Sequence, residues 1–247
     1  MYHFFVEPDA VKDKTITITG KDVNHIKNVL RMKPGEELSV STKDSQSEYR
    51  CIVRELFDDR IVCELAFIKE EGNELPSKIY LFQGLPKSDK MELIIQKAVE
   101  LGAFEIIPVE MKRCVMKIDP KKAASKLSRW NGISEAAAKQ AKRTIIPEIK
   151  TPMGFKDAVD YAKSLPVKLL PYELADGMAR TKEIFSNLKA GEDIAIFIGP
   201  EGGFEQSEVE LAKENGFETI TLGKRILRTE TAGMAVIARI MFELEET

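Results

Sequence analysis

Five apolar residues pass directly into a glycine-rich loop at residues 194–203, which read IAIFIGPEGG. An apolar run of this length that ends in Gly and Pro is typical of a buried strand followed by a turn. A second loop, LGKRILRTETA at residues 222–232, also follows a short strand-like segment and also leads into a helical pattern. Loops at the carboxyl ends of strands are where open α/β sheets bind ligands. The two loops therefore predict a ligand site in this part of the chain.

Strand and helix patterns alternate from residue 73 onward. The predicted strands are residues 78–82, 105–109, 167–171, 194–198 and 219–222. The first predicted helix begins at Ser88 or Asp89. The other predicted helices occupy residues 121–142, 155–163, 181–188, 206–215 and 231–245. Such alternation favours an α/β fold with a parallel sheet covered by helices.

Residues 1–72 have a different pattern, made mostly of short strands. These strands are predicted at residues 15–19, 37–41, 49–53 and 60–65, and a short helix capped by Asp22 is predicted over residues 23–31. A polar stretch with Gly and Pro at residues 70–76 separates the two patterns. We therefore expect a small β domain over residues 1–72, either a binding module or a stabilising appendage, and an α/β domain over residues 73–247.

Composition narrows the class of protein. The chain of 247 residues contains three cysteines, an odd number that suits a reducing cytoplasm better than a disulfide framework. Its two histidines, His3 and His25, are distant in sequence from both loops, so a histidine metal site or a Ser-His-Asp triad is not expected. No apolar run approaches the roughly 18 residues of a membrane span, and residues 1–8 lack the pattern of a secretory signal. We expect a cytoplasmic protein with no membrane segment and no metal.

Positive charge is concentrated in one block. Residues 111–150 contain eleven Lys and Arg against three Asp and Glu, a formal charge of +8 in a chain of net charge −3. This block favours a polyanion such as nucleic acid as partner, and the alternative is a solvated helix face. Trp130 within the block has two interpretations, a base-stacking platform or a core residue.

The two loops, read together as GPEGGF and LGKRILRTETA, resemble the RsmE family of ribosomal RNA methyltransferases, which belong to the SPOUT class. The resemblance extends over nearly the whole chain in order. It includes QGLPKSDKME at residues 83–92, KAVELG at residues 97–102, FFV at residues 4–6 and HIKNVLR at residues 25–31. His3 departs from the family pattern, in which we expect an arginine at that position.

The resemblance implies a fold, a cofactor and partners. The fold is a SPOUT-type parallel sheet with a C-terminal trefoil knot, preceded by a small PUA-like β-barrel domain. Knots are rare enough that pattern alone would never suggest one. The implied activity is methyl transfer from S-adenosylmethionine to N3 of a uridine in 16S rRNA of the small ribosomal subunit, by a homodimer.

The resemblance also implies roles for individual residues. The expected cofactor contacts are Leu170, Pro171, Ile198, Gly199, Gly202, Gly203, Leu222, Gly223, Ile226, Leu227, Thr231 and Ala232. The expected RNA contacts are Arg31, Arg113, Lys121, Lys122, Arg129, Gln140 and Arg143. The apolar face of the last helix, with Met234, Ile237, Ala238 and Met241, belongs either to the core or to a dimer interface.

The chemistry requires removal of the N3 proton, and three residues are candidates for catalysis. Glu201 or Glu230 could accept the proton, or Arg228 could stabilise the uridine anion while water takes the proton. Glu201 could instead bond loop amides, and Glu230 could serve the first turn of a helix. Two other classes of protein stay open, a non-enzymatic RNA-binding ribosome assembly factor and a nucleotide-dependent enzyme that acts on small molecules.

Overall fold

The computed structural model describes residues 1–42, 45–70, 72–175 and 177–245. The chain divides into two compact units. The first contains residues 1–74 together with residues 138–146, and the second contains residues 75–137 and 147–247. The predicted domain boundary between residues 72 and 73 stays a prediction.

The first unit is built on a sheet of short strands. The strands are β1 (Tyr2–Val6), β2 (Val11–Lys12), β3 (Thr15–Thr19), β4 (Glu37–Thr42), β5 (Glu48–Leu56) and β6 (Arg60–Lys69). Within the described residues their order is β1-β4-β5-β6-β3-β2, with β1 and β4 parallel and the other neighbours antiparallel. Burial alternates along β3, where Ile16 and Ile18 are buried between threonines, as the period-two pattern predicted.

The predicted helix of this unit starts earlier than expected. It comprises α1 (Lys21–Asn24) and a π-helical turn at His25–Val29. The residue that precedes the helix is Gly20, so the prediction that Asp22 caps it is wrong. The Asp22 carboxylate instead accepts hydrogen bonds from Lys139 Nζ at 2.8 and 2.9 Å.

The second unit is built on a parallel sheet. Its strands are β7 (Ile79–Gly84), β8 (Ala103–Glu110), β9 (Glu148–Ile149), β10 (Met153–Gly154), β11 (Val167–Pro171), β12 (Ile194–Ile198) and β13 (Glu218–Ile220). Among the described residues their order is β10-β8-β7-β12-β11-β13, with β9 also paired to β8, and all these pairs are parallel. The parallel α/β sheet predicted from the alternating pattern is confirmed. Every residue of β12 is buried because β12 lies between β7 and β11, which explains its unbroken apolar sequence.

Helices lie between these strands along the chain, and the last helix follows β13. They are α2 (Lys90–Glu100), α3 (Pro120–Ala141), α4 (Phe155–Tyr161), α5 (Met178–Ser186), α6 (Gln206–Glu214) and α7 (Thr229–Leu244). Aromatic rings fill part of the core, where Phe82 and Phe197 stack with ring centroids 4.3 Å apart and Phe217 meets Phe197 edge-on. Trp130 is 3% exposed and is a core residue, so it is not free to stack on a base. The trefoil knot stays a prediction.

Among the described residues, no helix is long and apolar enough to cross a membrane. No group of three or more His, Cys, Asp or Glu in the same part of the chain could hold a metal ion.

Candidate cofactor and methyl-transfer site

Neighbouring parallel strands bring several loops to one edge of the sheet. The strands β7, β12, β11 and β13 are adjacent in that order, so their carboxyl ends lie together. The GPEGG loop follows β12, the LGKRILR loop follows β13, and a third loop that begins with residues 172–174 follows β11. The sequence pattern predicted two of these three loops as a ligand site.

A cavity of about 710 Å³ opens between the three loops. It is lined by Lys90, Arg113, Pro171, Tyr172, Glu173, Leu174, Ile198, Gly199, Pro200, Glu201, Gly202, Gly203, Phe204, Gln206, Ile226, Leu227, Arg228, Thr229 and Ala232. A second cavity of about 450 Å³ adjoins the first, because both include residues 171–174, 226–227 and 232, and it extends to Leu222 and Gly223. Cavities of this size are typical of sites for small organic ligands and cofactors.

Two glycines allow the backbone to border the cavities closely. Gly203 and Gly223 have φ angles of +67° and +104°, a region that side chains disfavour. A Cβ added at either position would meet no heavy atom within 4 Å. Gly202 is different, because an added Cβ would lie 3.0 Å from the Cβ of Arg113. A side chain at Gly202 therefore requires Arg113 to shift by a few tenths of an ångström, whether or not a ligand is bound.

Thr229 joins the start of α7 to the end of β7 and to the GPEGG loop. Its Oγ1 donates a hydrogen bond to the Gly199 carbonyl at 2.6 Å and accepts one from Gln83 Nε2 at 2.9 Å. Both side chains are buried, Thr229 at 6% exposure and Gln83 at 0%. One hydroxyl thus holds the GPEGG loop, the end of β7 and the first turn of α7 in a fixed arrangement.

The two glutamates of the site share one lysine. Lys90 Nζ lies 3.2 Å from Glu201 Oε1 and 3.2 Å from Glu230 Oε2. Glu201 also accepts a hydrogen bond from the Lys87 backbone N–H at 3.1 Å. Desolvation raises the pKa of Glu201, but hydrogen bonds from backbone amides and Lys90 outweigh it, so the net pKa is lowered. Glu201 is therefore held as a carboxylate that is already engaged.

Arg113 fixes the other side of the GPEGG loop. It donates from Nη1 to the Gly202 carbonyl at 3.1 Å and from Nε to Glu205 at 3.0 Å. The Glu208 carboxylate supports the same loop, because it accepts hydrogen bonds from the backbone N–H groups of Lys112 and Glu205, each at 2.9 Å. The segment that follows β8 therefore supports the loop that follows β12.

Comparison with known proteins places these features in a family. A family model described as "RNA methyltransferase domain" matches residues 73–241, and one described as "RNA methyltransferase PUA domain" matches residues 18–65. The chain is 36% identical to the ribosomal RNA small subunit methyltransferase E of Bacillus subtilis, across 99% of this chain and 98% of that protein. The chain belongs to the ribosomal RNA small subunit methyltransferase E (RsmE) family. Its RsmE relative in Mesomycoplasma hyopneumoniae is 35% identical, across 97% of this chain and 98% of that protein.

Solved structures agree with this assignment. The crystal structure of an RsmE protein from Neisseria gonorrhoeae bound to S-adenosylmethionine is 30% identical, with a TM-score of 0.84 and coverage of 98% of this chain and 97% of that one. A methyltransferase from Legionella pneumophila in complex with the same cofactor is 29% identical, with a TM-score of 0.84 and coverage of 98% and 97%. The resemblance to the RsmE family seen in the sequence is confirmed.

Most of the cofactor contacts expected for an RsmE protein line the two cavities. Those that do are Pro171, Ile198, Gly199, Gly202, Gly203, Leu222, Gly223, Ile226, Leu227 and Ala232. Neither of these two cavities is lined by Leu170, which is fully buried in β11, or by Thr231, which is exposed on α7. Of the catalytic candidates, Arg228 and Glu201 line the larger cavity, whereas Glu230 does not.

Sequence reasoning missed the loop after β11 and the residues that hold the site together. Tyr172, Glu173 and Leu174 border both cavities. They come directly after a strand that was predicted at residues 167–171, so the strand-end rule would have found them. Lys90 and Thr229 had no comparable signal, because their partners are distant in sequence.

The expected RNA contacts fall into two groups. Exposed side chains are found at Arg31, Lys121, Lys122 and Gln140. The three arginines of the basic block, of which Arg113 and Arg129 are also exposed, meet carboxylates from outside it, so the net charge around them is less positive than the sequence of the block suggests. Arg113 pairs with Glu205, Arg129 with Glu92 and Arg143 with Glu74.

Arg143 must be corrected as an RNA contact. It is 3% exposed, and its Nε lies 3.1 Å from Glu74 Oε2. A buried guanidinium paired in this way cannot reach a phosphate, so Arg143 is a structural residue of the first unit. His3 is also buried, with Nδ1 2.8 Å from Ser39 Oγ, and burial lowers its pKa to about 4. It is therefore neutral near pH 7 and does not replace the arginine expected there.

Proposed function

We propose that the protein methylates N3 of a specific uridine in 16S rRNA of the small ribosomal subunit, with S-adenosylmethionine as methyl donor. The observation that carries this proposal is the pair of adjoining cavities at the strand-end loops of an RsmE-family chain. The Bacillus subtilis relative is named for small-subunit rRNA methylation, and the Neisseria gonorrhoeae relative was solved with S-adenosylmethionine.

The residues present fit this cofactor. Ile198, Leu227 and Ala232 provide an apolar wall for an adenine ring, and Gly203 and Gly223 leave room for backbone groups to border the ligand. When bound, S-adenosylmethionine supplies an electrophilic methyl group on a sulfonium sulfur. The task of the protein is then to position the uridine and to favour loss of its N3 proton.

Arg228 is the residue we assign to the uridine. It lines the larger cavity, its side chain is exposed, and it has no ion-pair partner among the described residues. Its guanidinium is therefore available to stabilise the anion that forms when N3 loses its proton to water. Glu201 is engaged by Lys87 and Lys90, so we assign it to holding the loop rather than to accepting the proton.

Four exposed polar residues, three cations and Gln140, are the ones we assign to RNA phosphates. Lys121 and Lys122 belong to the second unit, and Arg31 and Gln140 belong to the first.

We also propose a homodimer. The last helix supports it, because Met234, Ala238 and Met241 are only partly buried and Phe242 is 77% exposed. Light scattering of wild type and Phe242→Asp tests this, and a monomeric wild type would refute it.

Cofactor binding and methyl transfer test the main proposal. Calorimetry should detect S-adenosylmethionine binding to the wild type. Ala232→Leu should abolish it, because the larger side chain enters both cavities while helix propensity is kept. Ala179→Leu, at an exposed position of α5 that lines neither cavity, is the matched control and should bind as wild type does.

The reaction itself is followed on small subunits that lack the modification. Nuclease digestion and mass spectrometry should identify 3-methyluridine after incubation with protein and cofactor. A protein that binds these subunits but neither binds the cofactor nor forms 3-methyluridine would be a non-enzymatic assembly factor, and the proposal would be wrong.

A further inference from the structure

Lys90 occupies a position on the cavity wall that the assignments above leave without a role. It is the first residue of α2, directly after the loop that follows β7. Its side chain lines the larger cavity and is 28% exposed. It therefore differs from the surface lysines of α3, because it borders the same space as Arg228 and the GPEGG loop.

Two carboxylates hold the Lys90 ammonium in place. Glu201, from the loop after β12, and Glu230, from the first turn of α7, each lie 3.2 Å from Nζ. Glu230 does not border the cavity, and its Oε2 is shielded from solvent, meets Lys90 as an ion pair, and accepts no hydrogen bond from the described residues. Both glutamates therefore act on Lys90, which stands between Glu230 and the ligand space.

The ammonium keeps one donor for a ligand. A lysine ammonium has three N–H groups, and the two ion-pair contacts at 3.2 Å engage at most two of them. The hydrogen bond to Glu201 outweighs desolvation, and together with Glu230 it raises the pKa of Lys90. Lys90 is thus a permanent hydrogen-bond donor near neutral pH and not a base.

The chemistry of uracil determines what such a donor would do. Breaking the N3–H bond leaves its electron pair on N3 and delocalises the negative charge onto the two flanking carbonyl oxygens, while the proton goes to water. A cation fixed beside one of these oxygens stabilises the anion without reorganising as the charge develops. A lysine held by two carboxylates is preorganised in this way.

We infer that Lys90 is a catalytic residue that donates a hydrogen bond to a uracil carbonyl oxygen next to N3, and that Glu201 and Glu230 position it for this purpose. The inference rests on the proposed methylation of uridine N3. It assigns the two glutamates to the lysine and not to the N3 proton.

The test compares Lys90→Met with wild type in single-turnover methylation of small subunits. The variant should lose about 100-fold in rate, the usual cost of one donor to a developing anion. Its calorimetric affinity for S-adenosylmethionine should change by no more than about threefold. Lys97→Met is the matched control on the same helix, where Lys97 bonds Glu100 at 2.7 Å, and it should retain the wild-type rate. Lys90→Gln, which keeps donors for both carboxylates but lacks the charge, should behave as Lys90→Met does, and it serves as the test if Lys90→Met fails to fold.

The decisive measurement changes the acidity of the substrate. In subunits reconstituted on RNA that contains 5-fluorouridine, the electron-withdrawing fluorine makes N3–H more acidic, so the anion needs less help. The defect of Lys90→Met should then shrink to about tenfold or less, and its pH–rate profile on uridine should be displaced to higher pH.

Three outcomes overturn the inference. If Lys90→Met loses rate equally on both substrates and loses cofactor affinity in proportion, Lys90 only ties the loops together. If Lys90→Met methylates at the wild-type rate, the inference is wrong while the proposed function stands. If the wild type forms no 3-methyluridine, the proposed function and the inference are both wrong.

Discussion

Replacing Thr229 by valine removes one hydroxyl from the junction of three chain segments and leaves the shape of the side chain nearly unchanged. In the wild type this hydroxyl donates to the Gly199 carbonyl and accepts from Gln83 Nε2. Gln83 Oε1 is buried without a partner among the described residues, so the amide depends on its Nε2 contacts. The substitution leaves one N–H of fully buried Gln83 unsatisfied, and it removes a hydrogen bond from the carbonyl of partly buried Gly199.

The size of the stability loss follows from these two lost hydrogen bonds. The buried Gln83 N–H that loses its partner costs about 1–3 kcal/mol and the lost hydrogen bond to Gly199 about 0.5–1.5 kcal/mol, so Thr229→Val should lower the free energy of unfolding by about 1.5–4.5 kcal/mol. Thr229→Ser keeps the hydroxyl and loses one methyl group, which costs about 1 kcal/mol. The difference between the two variants therefore isolates the hydrogen bonds.

Urea denaturation followed by circular dichroism measures the stability of both variants, and calorimetry measures their affinity for S-adenosylmethionine. Affinity should fall in Thr229→Val more than in Thr229→Ser, because Gly199 and Thr229 both border the cavity. Equal stability of the valine and serine variants would refute the reasoning, since it would mean that the two hydrogen bonds do not hold α7 against the sheet.

Other residues give predictions that separate support of the cofactor loop from RNA binding and from stability. Arg113→Met should weaken S-adenosylmethionine binding about threefold to tenfold, because Gly202 loses its partially exposed arginine contact, and should leave the salt dependence of RNA affinity unchanged. Replacing Lys121 and Lys122 with alanine should flatten the plot of log affinity against log salt by about one unit per lost phosphate contact, and an unchanged slope would make them a solvated face. His3 has a folded-state pKa of about 4, below its ordinary 6.5. Between these two values the unfolded chain binds a proton at His3 that the folded protein does not, so the protein keeps its full stability above pH 6.5 and loses stability as pH falls towards 4. The free energy of unfolding should therefore drop by up to about 3 kcal/mol across this window, and His3→Gln should show a smaller drop in urea titrations at each pH.

The order and type of the elements could be predicted because they are encoded locally. The apolar run of β12 predicted a strand buried on both faces, and the alternation in β3 predicted a strand buried on one face. Gly102 and Gly216, which follow α2 and α6, have φ angles of +99° and +78° as expected of residues that end helices. The strand-end rule then located most of the cavity wall.

The contacts that complete the site could not be predicted in the same way. Nothing near Lys90 in the sequence indicates that Glu201 and Glu230 will meet it, and nothing near Arg143 indicates that Glu74 will bury it. A basic block is defined by the charges along the sequence. The electrostatic potential at the surface depends also on which carboxylates lie against those charges in the folded protein. Arg143 was misassigned for this reason.

The hydrogen bond between Gln83 and Thr229 joins residues that are 146 positions apart in the chain. Domains generally fold as units during synthesis, the N-terminal ones first. The cavity wall of the second unit is therefore incomplete until the segment with α7 has left the ribosome that makes it. The chain would become competent to bind its cofactor only after the first turn of α7 has been made, and chains that stall before residue 229 would accumulate without that ability.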